Sequence, residues 1–369
     1  MASIKRIELK SGESRYRARY RDREGKEHAR HFKLMKDAQR WLDEVTASVV
    51  TGTYVDPKAS RGTVAAMSKT WLASRPDWTA STRERNRSIV KKYIVPRWGT
   101  VRLADVTHEA VQEWASSISL AGGTVRKIVG VLSGILELAV KTKKLAVNPV
   151  RGVNLPKQAI KRRRYLTGVE VERLADAAGN QRGIVLVLAY CGLRWGELAA
   201  LRVRSVDEVR RRLTIDEAMT EVKGKATWDT PKDHQRRTVP YPAFLQGPIS
   251  ERVKGKEPDD LLFTSMTGGL LRNRNARRDW FDAAAKAAGV EGLTPHELRH
   301  TAASLAVQAG ASVLALQKML GHEKASVTLD VYADLYDEDL DVLAEQLATA
   351  RSRNLADFLR TRPALVDPA

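Results

Sequence analysis

Four short stretches in the second half of the chain concentrate residues suited to chemistry on an anion. The densest is Leu293-Thr294-Pro295-His296-Glu297-Leu298-Arg299-His300. Thr294 reads as a helix N-cap, Pro295 as the first helical residue and Glu297 as the capping-box partner. His296, Arg299 and His300 then share one face at i, i+3 and i+4, around a helix N-terminus that already favours phosphate. A second stretch, Gly192 to Leu198, follows an apolar helix from Ile184 to Tyr190 and carries Arg194 and Glu197. Such charges are seldom buried unless paired. The third, Thr230 to Pro240, carries Lys232 on a turn into a strand. The fourth is Leu320-Gly321-His322, followed ten residues on by Tyr332.

A competing chemistry is open at the first of these. His296-Glu297-Leu298-Arg299-His300 also satisfies His-Glu-x-x-His, the zinc metalloprotease pattern, with His322 or Glu323 available as a third ligand. Pro295 argues against it, because it puts the pattern in the first helical turn, whereas zinc proteases carry it within a helix. The Arg299 cation would also oppose a neighbouring Zn²⁺, and Glu297 has an adequate duty as a cap. The expectation is a site without metal.

Composition then separates the partner classes. The 369 residues carry a formal charge of +19 and a pI near 10, which favours nucleic acid or an anionic membrane surface. No apolar run approaches the roughly 18 to 20 residues of a membrane span. Behind Met1 to Arg6 there is no apolar stretch of the kind a secretory signal has. The single cysteine, Cys191, allows no internal disulfide and suits a reducing cytoplasm. Nucleic acid is the leading partner class on these grounds, with no membrane. A DNA-binding protein without catalysis would account for the charge and leave the four stretches without a task.

Basic and Pro/Gly/Ser-rich joints divide the chain into three sections that must position these residues: 1–56, 63–150 and 165–369. In the first, Arg15, Arg17, Arg19, Arg21 and Arg23 alternate with Tyr16, Ala18 and Tyr20. Strand periodicity therefore gives one arginine face, with no acid of the run on it, and one apolar face. A partner strand follows over His28 to Leu34, then a helix from about Lys36 to Val50. Its Ala38, Trp41, Leu42, Val45 and Val49 could cover the tyrosine face. The expectation is a small three-stranded sheet plus helix whose arginine face contacts DNA. In the second section, helices are expected to begin at Thr63, at Ser81 (stopped by Pro96), after Thr107 and at Thr124. After a basic joint from Lys157 to Arg164, the third opens on the capping-box pattern Thr167 to Glu170. It continues through helices, a strand-rich stretch from about Leu201 to Tyr241, and helices to the end.

These four stretches resemble the catalytic motifs of the tyrosine recombinase family of phage-integrase type. Leu293 to Tyr332 is similar to the family's closing pattern almost throughout, and Gly192 to Leu198 to its first box. The resemblance implies a helical core-binding (SAM-like) domain and a mainly α catalytic domain with a small antiparallel sheet, behind an arm-type DNA-binding domain. It implies that Arg194, Arg299, His296 and His322 surround one phosphate, that Lys232 is the general acid, and that Tyr332 forms a 3′-phosphotyrosine. No metal, cofactor or ATP is then required. Gln235 stands where the family often has Ser or Thr, so Lys223 and Lys225 are alternative lysines. Glu197 is expected to orient a buried arginine. Each residue alone would be an ordinary surface, capping or core group; the six in order are not. A type IB topoisomerase-like nickase shares the chemistry, but the arm-type N-terminal section argues against it. The implied assembly is a homotetramer on DNA attachment sites in the bacterial nucleoid, served by a host DNA-bending protein and an excision factor. The Leu-rich tail after Asp337 suits docking on its own domain or on a neighbour.

Overall fold

The computed structural model describes residues 2–8, 13–21, 25–51, 62–158, 164–230, 236–332, 345 and 347–356. The chain divides into two compact units, Met1–Ile160 and Lys161–Ala369.

The first unit begins with an antiparallel sheet of β1 (Ser3–Glu8), β2 (Ser14–Arg21) and β3 (Glu27–Phe32), with β2 in the centre, followed by a helix over Met35–Thr51. Alternation along β2 buries Ala18 and Tyr20 against Ala38 and Leu42 of that helix, with Trp41 and Val45 packed alongside. Tyr20 meets the Trp41 ring edge-on at 5.5 Å. The opposite face carries Arg15, Arg17, Arg19 and Arg21; Arg23 lies outside the described residues. The arginine face gains an acid from outside its own run. Register places Glu27 of β3 directly opposite Arg21, so the neighbouring strand puts an acid on the arginine face. A run read strand by strand does not reveal its cross-strand neighbours.

The helical part of this unit runs Val64–Ala73, Ala80–Ile89, Val95–Trp98, His108–Ser117 and Gly122–Lys141. Thr63 and Thr107 each accept a backbone N–H from the first turn. The other two starts differ from expectation. Thr79, not Ser81, caps the second helix, and the last begins at Gly122, with Thr124 already inside it. Pro96 does not stop the chain either. A wide π-type turn over Val90–Ile94 leads into Val95–Trp98, where proline occupies the first turn and no N–H is missed. Ile94, Trp98, Leu103, Ile128, Leu132, Ile135 and Leu136 fill the core.

The second unit is built around Arg182–Cys191, a helix apolar on every side from Ile184 to Ala189 and buried accordingly. Pro295–Gln308 packs against it, as does Gly168–Ala177, whose Thr167–Glu170 capping box forms as expected. The small antiparallel sheet structure expected here is present, and among the described residues it forms two pieces. β5 (Arg212–Ile215) pairs with β4 (Val206–Asp207) on one side and β8 (Arg237–Pro240) on the other, while β6 (Ala218–Val222) and β7 (Lys225–Asp229) form a separate hairpin. Lys223 and Lys225 sit at its tip. Val313–Leu320 and Ala325–Tyr332 close the unit. Of the tail, only Glu345 and residues 347–356 are described. Among the described residues no helix is long and apolar enough to cross a membrane.

Candidate active site

The site forms where the end of one helix is covered by three guanidinium groups. Val313–Leu320 stops at Gly321, which takes the left-handed conformation (φ 66°) that glycine adopts without a Cβ penalty. A helix leaves its last carbonyls without internal partners, at the negative end of its dipole. Arg237 donates from Nε to the Met319 carbonyl at 3.2 Å. Arg299 donates from Nη2 to that of Leu320 at 2.7 Å, and Arg194 from Nη2 to that of Gly321 at 3.3 Å. A Cβ at Gly321 would come within 2.8 Å of the Arg237 side chain, so this glycine also makes room for the arginine. His322 leaves directly from this clamped turn.

Each arginine is held from its other side as well. Arg299, 3 % exposed, donates from Nη1 to the Gly192 carbonyl at 2.6 Å. Gly192 caps the central helix, so Arg299 joins the ends of two helices. Arg194 donates from Nη1 to Glu197 Oε1 at 2.9 Å, and its backbone N–H reaches Glu197 Oε2 at 2.8 Å. Arg237 forks onto the same carboxylate, at 2.9 and 2.6 Å. Burial alone would raise the Glu197 pKa. The hydrogen bonding and charge of Arg237, then the charge of Arg194, outweigh it and hold the carboxyl below its ordinary 4.5. Burial, then the nearby Arg194 charge, brings Arg299 down to about 10, so it stays protonated at neutral pH.

Tyr332 lies at the end of Ala325–Tyr332, its ring in a small core with Ala303, Val307, Leu316 and Leu320. Its hydroxyl is 2.9 Å from His300 Nδ1. The His322 ring lies parallel to the phenol, 8° apart in tilt and 6.4 Å between centroids, and its Nδ1 meets the buried Thr328 hydroxyl at 2.9 Å. His296, one turn before His300 on the same helix, has its ring 5.0 Å from that of His300. Desolvation, then the charges of Arg299 and Arg194, lowers the His296 pKa and favours the neutral imidazole. At the start of this helix, the Glu297 carboxylate accepts the Thr294 N–H at 2.7 Å and its hydroxyl at 2.9 Å.

The structure thus brings Arg194, Arg299, His296, His322 and Tyr332 into one neighbourhood, with guanidinium groups and imidazoles beside a phenol. Lys232 falls in 231–235, outside the described residues. Two features escape the sequence reading. Arg237 points inward like Val239, two residues on along β8, and an inward arginine on a strand signals a buried acid. His300 is legible as a member of the right helical face, but its phenol partner is not. Cys191 is no rival nucleophile, since burial pushes its thiol up to about 12. Among the described residues no three His, Cys, Asp or Glu side chains cluster as a metal site.

The phage integrase family profile matches residues 164–339, and that of the phage integrase N-terminal SAM-like domain matches 63–119. The chain is 30 % identical to the tyrosine recombinase XerC of Bacillus subtilis over 216 residues, 57 % of this chain and 69 % of that protein. It is 28 % identical to the integrase of Mycobacterium phage D29 over 313 residues, 79 % of this chain and 82 % of that one. Among solved structures, a fragment of the Tn1549 transposon integrase with transposon right end DNA aligns with a TM-score of 0.67 at 20 % identity, covering 78 % of this chain and all of that one. A lambda integrase dimer on a core site aligns at 0.58 and 19 % identity, covering 88 % and 93 %. With this fold, these relatives and a phenol among arginines and histidines, the chain belongs to the phage integrase family of tyrosine recombinases and is an enzyme of site-specific DNA recombination and integration.

Proposed function

We propose that Tyr332 is the nucleophile that attacks the scissile phosphodiester and becomes a 3′-phosphotyrosine. Arg194 and Arg299 neutralise the equatorial phosphate oxygens, which planar, permanently charged guanidinium groups do well, and His296 and His322 add donors. Lys232 protonates the departing 5′ oxygen as general acid. The covalent link keeps the bond energy, so rejoining needs no ATP. The observation that carries this reading is the Tyr332 phenol, parallel to the His322 ring and hydrogen-bonded to His300 beside the arginine-clamped turn.

The domain roles belong to the same proposal. The arginine face of residues 1–56, with Arg15, Arg17, Arg19 and Arg21, grips arm-type DNA; residues 63–150 bind the core site; residues 165–369 catalyse. The working unit is a homotetramer on two attachment sites, a reading supported by the lambda integrase solved as a tetramer on a Holliday junction. Its substrate is the attachment site of a phage or other mobile element, in the cytoplasm on the host nucleoid. A host DNA-bending protein and an excision factor set direction.

The test uses a nicked suicide substrate and a denaturing gel, with peptide mapping of the adduct. Tyr332→Phe is expected to bind DNA with near-normal affinity and form no covalent adduct, while Tyr336→Phe, at the next tyrosine in the sequence and outside the described residues, keeps forming it. Adduct on Tyr336, or full activity in Tyr332→Phe, would overturn the assignment.

A further inference from the structure

A phenol with an ordinary pKa near 10 is a poor nucleophile at neutral pH, and a base able to take its proton must lie within about 2.6 to 3.2 Å. Three imidazoles belong to this site, and geometry separates them. The His322 ring lies parallel to the phenol. Its ring centroid stands 6.4 Å from that of the phenol, and its Nδ1 is engaged with the Thr328 hydroxyl at 2.9 Å. His296 is one helical turn before His300, its ring beside that of His300. Of the three, His300 has a nitrogen within reach, Nδ1 at 2.9 Å from the Tyr332 hydroxyl.

We infer that His300 is a further catalytic residue, the proton acceptor for Tyr332. The inference rests on Tyr332 being the nucleophile. In the tautomer with hydrogen on Nε2, the Nδ1 lone pair accepts the phenolic O–H bond. On attack that O–H bond breaks and the proton passes to Nδ1. The phenolate oxygen then bonds to phosphorus as the bond to the 5′ oxygen breaks, and that oxygen takes its proton from the general acid assigned to Lys232. In rejoining, the imidazolium returns the proton to the departing phenolate. Proton transfer leaves the His300–Tyr332 pair with no net charge, which suits a neighbourhood already crowded with Arg194 and Arg299.

The test is single-turnover cleavage of the suicide substrate by the full chain. His300→Ala is expected to bind DNA as wild type does and to cleave about a hundredfold more slowly, the low end of what a general base contributes. Free imidazole should restore its rate in proportion to the neutral base added. His300→Gln keeps a hydrogen-bonding side chain but accepts no proton, so it should stay slow with or without imidazole. Cleavage at the wild-type rate by His300→Gln would overturn the inference. So would a folded, DNA-binding His300→Ala that imidazole does not rescue, since that leaves His300 only a holder of the ring. If His300→Ala does not fold, the rate of His300→Gln decides alone. Tyr332→Phe, run beside them, isolates the underlying reading: adduct in that variant defeats the nucleophile assignment, whereas its absence with unimpaired His300→Gln defeats only the role of His300.

Discussion

Arginine does two different jobs in the two units of this chain. In the catalytic unit, Arg194, Arg237 and Arg299 each meet a separate carbonyl at one helix end, and two of them share the buried carboxylate of Glu197. On the N-terminal sheet, Arg17, Arg19 and Arg21 all face the single carboxylate of Glu27, at 3.9 to 4.0 Å, with about half or more of each side chain exposed. Buried guanidinium groups lock a geometry, because removing any partner strands a desolvated charge or carbonyl. Exposed ones keep their water and act at a distance, as a field that salt can screen.

The largest expected effect lies in the buried set. Arg237→Met leaves Glu197 half-paired and the Met319 carbonyl without its donor, and should cost about 3 to 5 kcal/mol of stability. Calorimetric or urea unfolding of the full chain measures it. A variant as stable as wild type would mean that the fork onto Glu197 is idle. In a double-mutant cycle with Glu197→Gln, the two changes should be strongly non-additive.

Acid gives the next effect, and its sign follows from Glu197. Its pKa is lower in the folded chain than the ordinary 4.5. The folded state therefore binds its proton less readily than the unfolded one. Its contribution is fully present above the unfolded pKa and is lost as pH falls through the folded value. Below about pH 4.5, wild type should lose stability more steeply than Glu197→Gln, which is weaker at neutral pH but lacks this titration. Parallel unfolding curves across that range would remove Glu197 from the account.

How much of this is legible in the sequence depends on distance along the chain. The Thr294-Pro295-His296-Glu297 helix start can be read because every partner lies within one turn. So can the alternation that buries Tyr20 and exposes Arg19. The expected start at Ser81 is misplaced because Thr79, Ser81 and Thr82 stand together and only backbone geometry selects the cap, and that at Thr124 because the helix begins after Ala121 with no side-chain cap at all. Pro96 reads as a stop because a wide turn before it leaves no mark in residue type. Arg237 and Glu197 are 40 residues apart, and Glu27 faces Arg21 across a strand pair. Their charges are visible in the sequence, but which charge meets which is decided by topology and register. The gathering of Arg194, Arg299, His322 and Tyr332 is legible through family resemblance rather than from any local rule.

The exposed face should respond to salt instead of to denaturant. Replacing Arg15, Arg17, Arg19 and Arg21 with alanine should leave stability within about 0.5 kcal/mol. The slope of log affinity against log salt for arm-type DNA should become shallower by roughly 0.9 for each phosphate no longer neutralised, up to about four phosphates. Binding at the core site should persist. Unchanged salt dependence on every DNA would sink the arm-domain role.

The smallest effect is the sharpest comparison, because it repeats on the sheet the change made at the buried site. Glu27→Gln, like Glu197→Gln, removes one carboxylate shared among arginines. Glu27 is on the surface, and its distances to Arg17, Arg19 and Arg21 are at the outer limit of an ion pair. Pairs of this kind contribute about 0 to 1 kcal/mol. Water already solvates each guanidinium, so none is stranded when the acid goes. Stability should therefore barely move. Affinity for DNA should rise slightly at low salt, because the face sheds its opposing charge, and the gain should vanish near 1 M salt, where charges are screened within about 3 Å. Titrations of wild type and Glu27→Gln at two salt concentrations, with an unfolding curve for each, measure both quantities. If Glu27→Gln destabilised the chain as much as Glu197→Gln does, the sheet would be held together by its charges, and the distinction between locking and steering arginines would fail.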